Sequence, residues 1–172
     1  MTRKKLHRTL LVLLLVLTPP YFLMFTDEGQ RIADNAVLWV MGGDSIELNI
    51  HQLNTDFTRA DILKVFPDLP WQCATKKSAF GDQLCVAEIS AYNDYPARYV
   101  SMFFIQDRVS AMKVVYRRPY HQQLQAHLVD QLGPPPATTD QPVVEWQAPA
   151  GKVVMPRTLQ QDTEPAFLWI AG

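Results

Sequence analysis

The stretch YVSMFFIQDRVSAMKVVY, residues 99–116, decides the fold. Residues 99–105 (YVSMFFI) are the strongest strand candidate in the chain, because aromatic and β-branched side chains predominate. Asp107 and Arg108 make a tight connection to residues 109–116, which are the expected antiparallel partner. With a strand at 85–90 (CVAEIS), the sequence predicts a three-stranded meander.

Two short helices are predicted beside this meander. Thr58 and Asp61 have the spacing of a capping box, which predicts a helix over 58–66. Leucines recur every four residues over 120–132, and this amphipathic helix would end at Gly133. Each helix would therefore turn an apolar stripe toward the strands.

Shorter segments complete the predicted sheet and its turns. Residues 45–51 (SIELNIH) alternate between apolar and polar side chains, which is typical of a half-buried strand, with an extended lead-in as the alternative. Turns are predicted at 76–81 (KKSAFG) and 92–97 (YNDYPA). Three more strands are predicted, at 143–147, 152–155 and 166–170.

The order of these elements predicts an α+β domain of antiparallel strands with two short helices. A helix, a proline-rich connection and three strands occur twice, over about 58–116 and 120–170, which indicates a tandem repeat of architecture. This pattern resembles the tandem helix-plus-three-strand modules of secreted beta-lactamase-inhibitor proteins and of small outer-membrane assembly lipoproteins. The resemblance implies a protein that binds other proteins. The N-terminal region lacks the cysteine that carries the lipid in a lipoprotein, so the chain departs from that pattern.

The N-terminal region predicts a membrane anchor. Residues 9–26 contain no charge, and 18 or more uncharged, mostly apolar residues make a candidate transmembrane helix. A cleaved signal peptide is the alternative, but aromatic and large apolar residues follow Pro20 where small residues are expected at a cleavage site. The four cations of residues 1–8 favour a cytoplasmic N-terminal tail.

This topology predicts a single-pass protein of the inner, cytoplasmic membrane. Residues 27–44 would form a juxtamembrane helix or stalk, and residues 45–172 would form an extracytoplasmic, in a bacterium periplasmic, domain. Four of the 16 Lys and Arg precede the apolar run, so the remainder of the chain has 12 cations against 17 anions. That acidic balance argues against a nucleic-acid partner.

Cys73 and Cys85 are expected to form a structural disulfide, because the domain that holds them is placed outside the reducing cytoplasm. A metal site is disfavoured because neither thiol has a CxxC spacing or a neighbouring histidine. A catalytic redox pair is disfavoured because such pairs usually have two residues between the cysteines.

No sequence motif indicates a catalytic centre, a cofactor site or a metal site. The chain has no GxSxG elbow, no SxxK pair and no glycine-rich nucleotide loop. No two histidines of the domain have a metal-binding spacing on a helix. Triads are defined by geometry, so an envelope hydrolase with a site assembled from dispersed residues stays an alternative.

Two clusters of aromatic and charged residues are candidates for binding a partner protein, because Tyr and Arg are enriched at interface hot spots. The first cluster comprises Tyr92, Asp94, Tyr95, Arg98 and Tyr99. The second comprises Arg117, Arg118, Tyr120 and His121. For the first, the alternative is tyrosines that pack at the end of the sheet and bond locally, and for the second a solvated helix start.

The sequence as a whole favours a membrane-anchored extracytoplasmic module that binds a protein or supports an envelope complex without catalysis. An inhibitor of a secreted enzyme is a third possibility, for which residues 92–99 would form the binding loop.

Overall fold

The computed structural model describes residues 3–136 and 141–172. The chain divides into two compact units, Met1–Gly42 and Gly43–Gly172. The first contains helices α1 (Arg3–Phe25) and α2 (Asp27–Met41). Within the described residues no single helix is long and apolar enough to span a bilayer. The segments Val12–Phe25 and Asp27–Leu38, which are bent by 84°, satisfy the length and composition criterion only as a pair.

The second unit is an α+β domain in which the sheet dominates. Its helices are α3 (Arg59–Val65) and α4 (His121–Leu132), and 3₁₀ turns cover Ile50–Gln52 and Arg118–Tyr120. The strands that the structure describes are β1 (Ser45–Ile46), β2 (Gln72–Ser78), β3 (Gly81–Glu88), β4 (Ala91–Tyr92), β5 (Tyr95–Ile105), β6 (Arg108–Tyr116), β7 (Val143–Ala148), β8 (Gly151–Pro156) and β9 (Ala166–Ala171).

These strands form one mixed sheet. The order is β1-β4-β5-β6-β9-β8-β7, while β3 also pairs with β5 and β2 lies outside β3. The short β1–β4 pair is parallel, and the other pairs are antiparallel. The β6–β9 pair joins the part of the sheet that follows α3 to the part that follows α4.

The hydrophobic core lies on one face of this sheet, which we call the core face. Side chains alternate across a strand, so one set of strand residues reaches this face. Leu124 and Leu128 of α4 and Ile62 of α3 belong to the same buried cluster as these strand residues, so both helices cover the core face. The largest strand side chains of the cluster are Tyr92, Phe104, Tyr116, Trp146, Phe167 and Trp169.

The capping box predicted for the first domain helix is confirmed. The Thr58 side chain accepts a bond from the Asp61 amide, and the Asp61 carboxylate accepts one from the Thr58 amide. Thr58 also forms an isolated antiparallel β-bridge with Arg108. The Arg59 amide donates to the Asp107 carbonyl at 3.2 Å. Helix α3 is thereby attached to the turn between β5 and β6.

Several predicted boundaries were wrong. Residues 45–51 alternate in burial as expected, but only Ser45–Ile46 pairs as a strand, because a 3₁₀ turn capped by Asn49 ends the extended segment. The turn predicted at 76–81 is mostly the end of β2, with the reversal confined to residues 79 and 80. The meander therefore has β2 as an additional strand.

Two hairpin turns differ from the predictions. The turn expected at 92–97 contains only Asn93 and Asp94, and the connection between β5 and β6 is Gln106 and Asp107 instead of Asp107 and Arg108. All four residues have positive φ between 44° and 66°. Two-residue turns of this kind match the twist of the adjoining strands, and Asn and Asp tolerate the left-handed conformation better than other non-glycine residues.

The predicted disulfide between Cys73 and Cys85 is confirmed. The two residues are register partners on β2 and β3, with their Cα atoms 4.0 Å apart. Cys85 is buried on the core face and Cys73 is exposed on the edge strand. The bond therefore fastens the outermost strand, whose seven residues are all exposed, to the rest of the sheet.

We expect the double variant Cys73→Ser with Cys85→Ser to lose about 3 kcal/mol of unfolding free energy, because the disulfide closes a short loop that is otherwise free in the unfolded chain. Urea unfolding of the oxidised and variant proteins, followed by tryptophan fluorescence, measures this difference. A reducing agent should destabilise the parent protein by a similar amount and leave the variant unchanged. Equal midpoints with and without reductant in the parent would contradict the expected role.

Candidate functional site

Tyr92 of the first candidate cluster is part of the core. Its side chain is 0% exposed and its ring meets the Phe167 ring edge-on at 5.1 Å. The hydroxyl donates to the Leu48 carbonyl at 2.8 Å. Burial raises the pKa of Tyr92 far above its ordinary value. This side chain therefore fastens the segment around Leu48 to the sheet and has no surface to offer a partner.

The turn after Tyr92 is also hydrogen-bonded to, and packed against, the rest of the domain. The Asn93 side chain accepts from the Leu48 amide at 2.8 Å and donates to the Leu48 carbonyl at 3.1 Å. The half-buried Tyr95 ring lies 5.1 Å from the His127 ring of α4. Asp94, at the tip, is exposed. The local role of tyrosines, which the sequence left as the alternative, describes Tyr92 and Tyr95.

Arg98 and Tyr99 lie elsewhere, at a β-bulge where Ala97 pairs with Tyr116 and Tyr99 pairs with Val115. Arg98 is the additional residue of the bulge and is exposed. The Tyr99 hydroxyl donates to Glu164 Oε1 at 2.5 Å. Arg98 and Tyr99 therefore face a different part of the surface from Asp94 and Tyr95.

Most residues of the second cluster hold the structure together. Arg118 donates from Nη2 to the carbonyls of Gln160, Gln161 and Thr163 at 2.9–3.0 Å, so it organises the loop before β9. Tyr120 is 5% exposed. The Arg117 amide donates to the Pro96 carbonyl. Partner binding by this cluster stays a prediction, and Arg118 would have to release three carbonyls to take part.

His121 is buried at the start of α4. Its Nδ1 is 2.7 Å from the Tyr116 hydroxyl, and its Nε2 is 3.3 Å from the Arg157 carbonyl. Burial, the largest cause, lowers the pKa of this imidazole. The described residues contain no group of three or more His, Cys, Asp or Glu side chains that could hold a metal ion.

A surface that the sequence did not reveal lies on the sheet face opposite the core, which we call the open face. Residues that are register partners on six neighbouring strands form rows across this face. One row is Val86, Ser101, Lys113, Leu168, Val154 and Glu145, and the next is Leu84, Phe103, Ala111, Ile170, Lys152 and Gln147.

The open face is predominantly apolar. Leu84, Val86, Phe103, Leu168, Ile170 and Val154 are each partly exposed, and none of them belongs to the buried cluster under the helices. Phe80, in the turn between β2 and β3, packs on Phe103 at 5.3 Å and extends this apolar surface. The charged groups within it are paired, because Lys152 contacts Glu145 at 3.3 Å and Lys113 contacts Glu164.

One corner of the open face is polar and closely connected. Glu164 accepts hydrogen bonds from Lys113 and from Tyr99. The Lys113 bond is the main reason that the pKa of Glu164 is lowered, with the Tyr99 bond second. Burial, followed by the bond to Glu164, raises the pKa of Tyr99 to about 12. Arg98 also acts electrostatically on Glu164, so this corner has two cations around one carboxylate.

A signal for this surface was present in the sequence. Antiparallel strands with one solvated face usually alternate between apolar and polar residues, whereas strands covered on both faces have continuous apolar runs. The segments MFFI in β5 and AFLWI in β9 are continuous apolar runs in antiparallel strands. In residues 45–172 the sequence predicts only two short helices, enough to cover one face, so those runs indicated an uncovered apolar surface.

Comparisons of the chain with protein-family models, with curated protein sequences and with solved structures give no match. The resemblance to inhibitor and lipoprotein modules accordingly stays an expectation from the order of elements.

We expect Glu164→Gln to lower the pKa of Tyr99 from about 12 toward 10 without reaching it, because the carboxylate is removed while the larger effect, burial of the phenol, remains. An NMR titration of proteins with isotopically labelled tyrosine measures this, and Tyr99→Phe assigns the resonance. Glu145→Gln is the matched control, because that carboxylate pairs with Lys152 and should leave the pKa of Tyr99 at about 12. An unchanged pKa in Glu164→Gln would contradict the bond between Tyr99 and Glu164.

Proposed function

We propose that this chain is a membrane-tethered, extracytoplasmic module whose open face docks a partner protein, and that it acts by binding rather than by catalysis. The observation that carries the proposal is the apolar face of the sheet on the side away from α3 and α4. Exposed contiguous apolar surface of this kind, edged by polar groups, is typical of protein–protein interaction sites.

The size of the open face supports a protein as the occupant. Six strands spaced by about 4.8 Å and two rows spaced by roughly 7 Å give an area on the order of 400 Å². That area is comparable to the largest apolar patch of a typical monomer. It is about half of the roughly 800 Å² that each partner buries in a standard interface, so the partner would also contact the rim.

The rim adds charge selectivity. Arg98 and Lys113 surround Glu164 at one corner, which leaves an excess of one positive charge there. We infer a partner surface with an apolar centre and an acidic group opposite that corner. Rim charges of this kind mainly affect the association rate and the partner's orientation.

The edges of the sheet favour docking on the face over pairing of strands. β2 has Lys76 and Lys77 at an irregularity in its pairing with β3, and lysines and bulges both oppose the addition of another strand. Pro142 and Pro149 flank β7, and proline cannot donate to a sheet ladder. These two edge strands are thus poor templates, and the face is the better site.

The docking proposal predicts that a photoreactive benzoylphenylalanine at position 103 gives a discrete cross-linked adduct in native membranes. The matched control is the same group at Leu63, which is an apolar residue of α3 with 38% exposure outside the open face. We expect no adduct from position 63. The adduct from position 103 should disappear in the background Leu168→Glu, because a charge would stand in the apolar centre, and should persist in the background Leu63→Glu.

Circular dichroism shows whether the Leu168→Glu protein remains folded. Equal adducts from positions 103 and 63, survival of the adduct in Leu168→Glu, or no adduct at either position would contradict docking on the open face.

The topology part of the proposal rests on the uncharged residues 9–26 and the cations before them. We expect a reporter phosphatase that folds only in an oxidising compartment to be active when fused after Gly172. The same fusion made to residues 43–172 alone is the control and should be inactive. Activity of a cytoplasm-specific reporter after Gly172 would reverse the topology.

A further inference from the structure

We infer that α2 lies in the plane of the membrane surface, with its apolar face in the boundary between lipid headgroups and acyl chains. This inference rests on the anchor of the proposed function and adds the role of the helix that follows it. The apolar face of α2 contacts a zwitterionic lipid surface.

Helix α2 has two distinct faces. At 3.6 residues per turn, Ile32, Ala33, Ala36 and Val37 lie on one side. Ile32 and Val37 are 56% and 54% exposed, and Ala36 is also exposed. The polar residues of the helix lie around the rest of its circumference and are Asp27, Glu28, Gln30, Arg31, Asp34 and Asn35. A helix with one apolar and one strongly polar face is typical of segments that lie along a membrane surface.

The bend between α1 and α2 is built from specific bonds. The Thr26 side chain caps α2 by accepting from the Gly29 amide at 3.0 Å, and its hydroxyl donates to the Phe22 carbonyl at 2.7 Å. The Gln30 side chain donates to the Met24 carbonyl at 2.9 Å. The two helices are thereby held at 84°, so α2 is almost perpendicular to the direction of α1.

The apolar face of α2 is turned toward the side on which α1 lies. A Cβ atom on Gly29 would stand 2.0 Å from the Phe22 carbonyl oxygen, so the inner side of the bend is the Gly29 side of α2. Gly29 and Ala36 are seven residues apart, which places them on the same face of the helix. When α1 inserts into a bilayer, the face with Ala36 therefore points into that bilayer.

The length of the anchor supports this placement. The 17 uncharged residues of α1, from residue 9 to residue 25, rise roughly 25 Å, whereas a hydrocarbon core is about 30 Å thick. A surface helix whose apolar face is immersed by about 5–10 Å supplies the missing depth at the outer end. Three acids against one arginine in residues 27–38 give no attraction to anionic lipid, so apolar contact is the driving force.

The test compares labels on neighbouring residues of the full chain in phosphatidylcholine vesicles. The variants Ala36→Cys, Asn35→Cys and Leu15→Cys are labelled with an environment-sensitive fluorophore, while Cys73 and Cys85 remain in their disulfide. Residues 35 and 36 are both exposed and differ by about 100° around the axis, so they are matched in position along the chain. We expect quenching by aqueous iodide to be severalfold weaker at positions 36 and 15 than at position 35.

The outcomes separate this inference from the anchor itself. Protection at position 15 with equal, strong quenching at 35 and 36 would overturn the surface helix and leave the anchor intact. Protection at all three positions would mean that α1 and α2 cross together as a broken span, which also overturns it. Strong quenching at position 15 would overturn the anchor and with it the inference.

Discussion

The pairing of β6 with β9 is the interaction on which the rest of the domain depends. It joins strands that are more than fifty residues apart in sequence and makes one sheet from two groups of strands. Within it, Met112 lies opposite Trp169 and Val114 opposite Phe167, and these four side chains are buried. A shift by one residue would exchange the two faces of β9 and expose both aromatic rings.

This pairing also determines what is left uncovered. The register that buries Phe167 and Trp169 turns Leu168 and Ile170 to the opposite face. Among the described residues of the second unit, the two helices are too few to cover both faces, and Leu124 and Leu128 show that α4 covers the core face. The open face is therefore a direct consequence of strands that are apolar on both sides in a sheet with a single helical layer. No particular loop or catalytic group is needed to explain where this apolar surface lies.

The two candidate clusters illustrate how similar residues acquire different roles. Tyr92 and Tyr99 are seven residues apart in the same hairpin region, yet one is completely buried and the other shares a carboxylate with Lys113 at the rim. Arg98 and Arg118 differ in the same way, because Arg118 bonds loop carbonyls while Arg98 is exposed on a bulge. Composition alone identified residue types that are common at protein–protein interfaces. Only the partners that each side chain finds in the fold distinguish structural residues from surface ones.

The sequence by itself determined the α+β class, the two domain helices with their capping, the central hairpin of β5 and β6, and the disulfide, because these depend on local periodicity and on residue chemistry. The tertiary structure alone decided the boundaries of β1, β2 and β4, the strand order and the composition of the open face. Those features depend on pairings between distant segments, such as Ile46 with Tyr92 and Lys113 with Leu168, which no local pattern encodes. The 84° bend at Thr26 was also evident only from the structure, although it is made by contacts between residues close in sequence, such as Gly29 and Phe22.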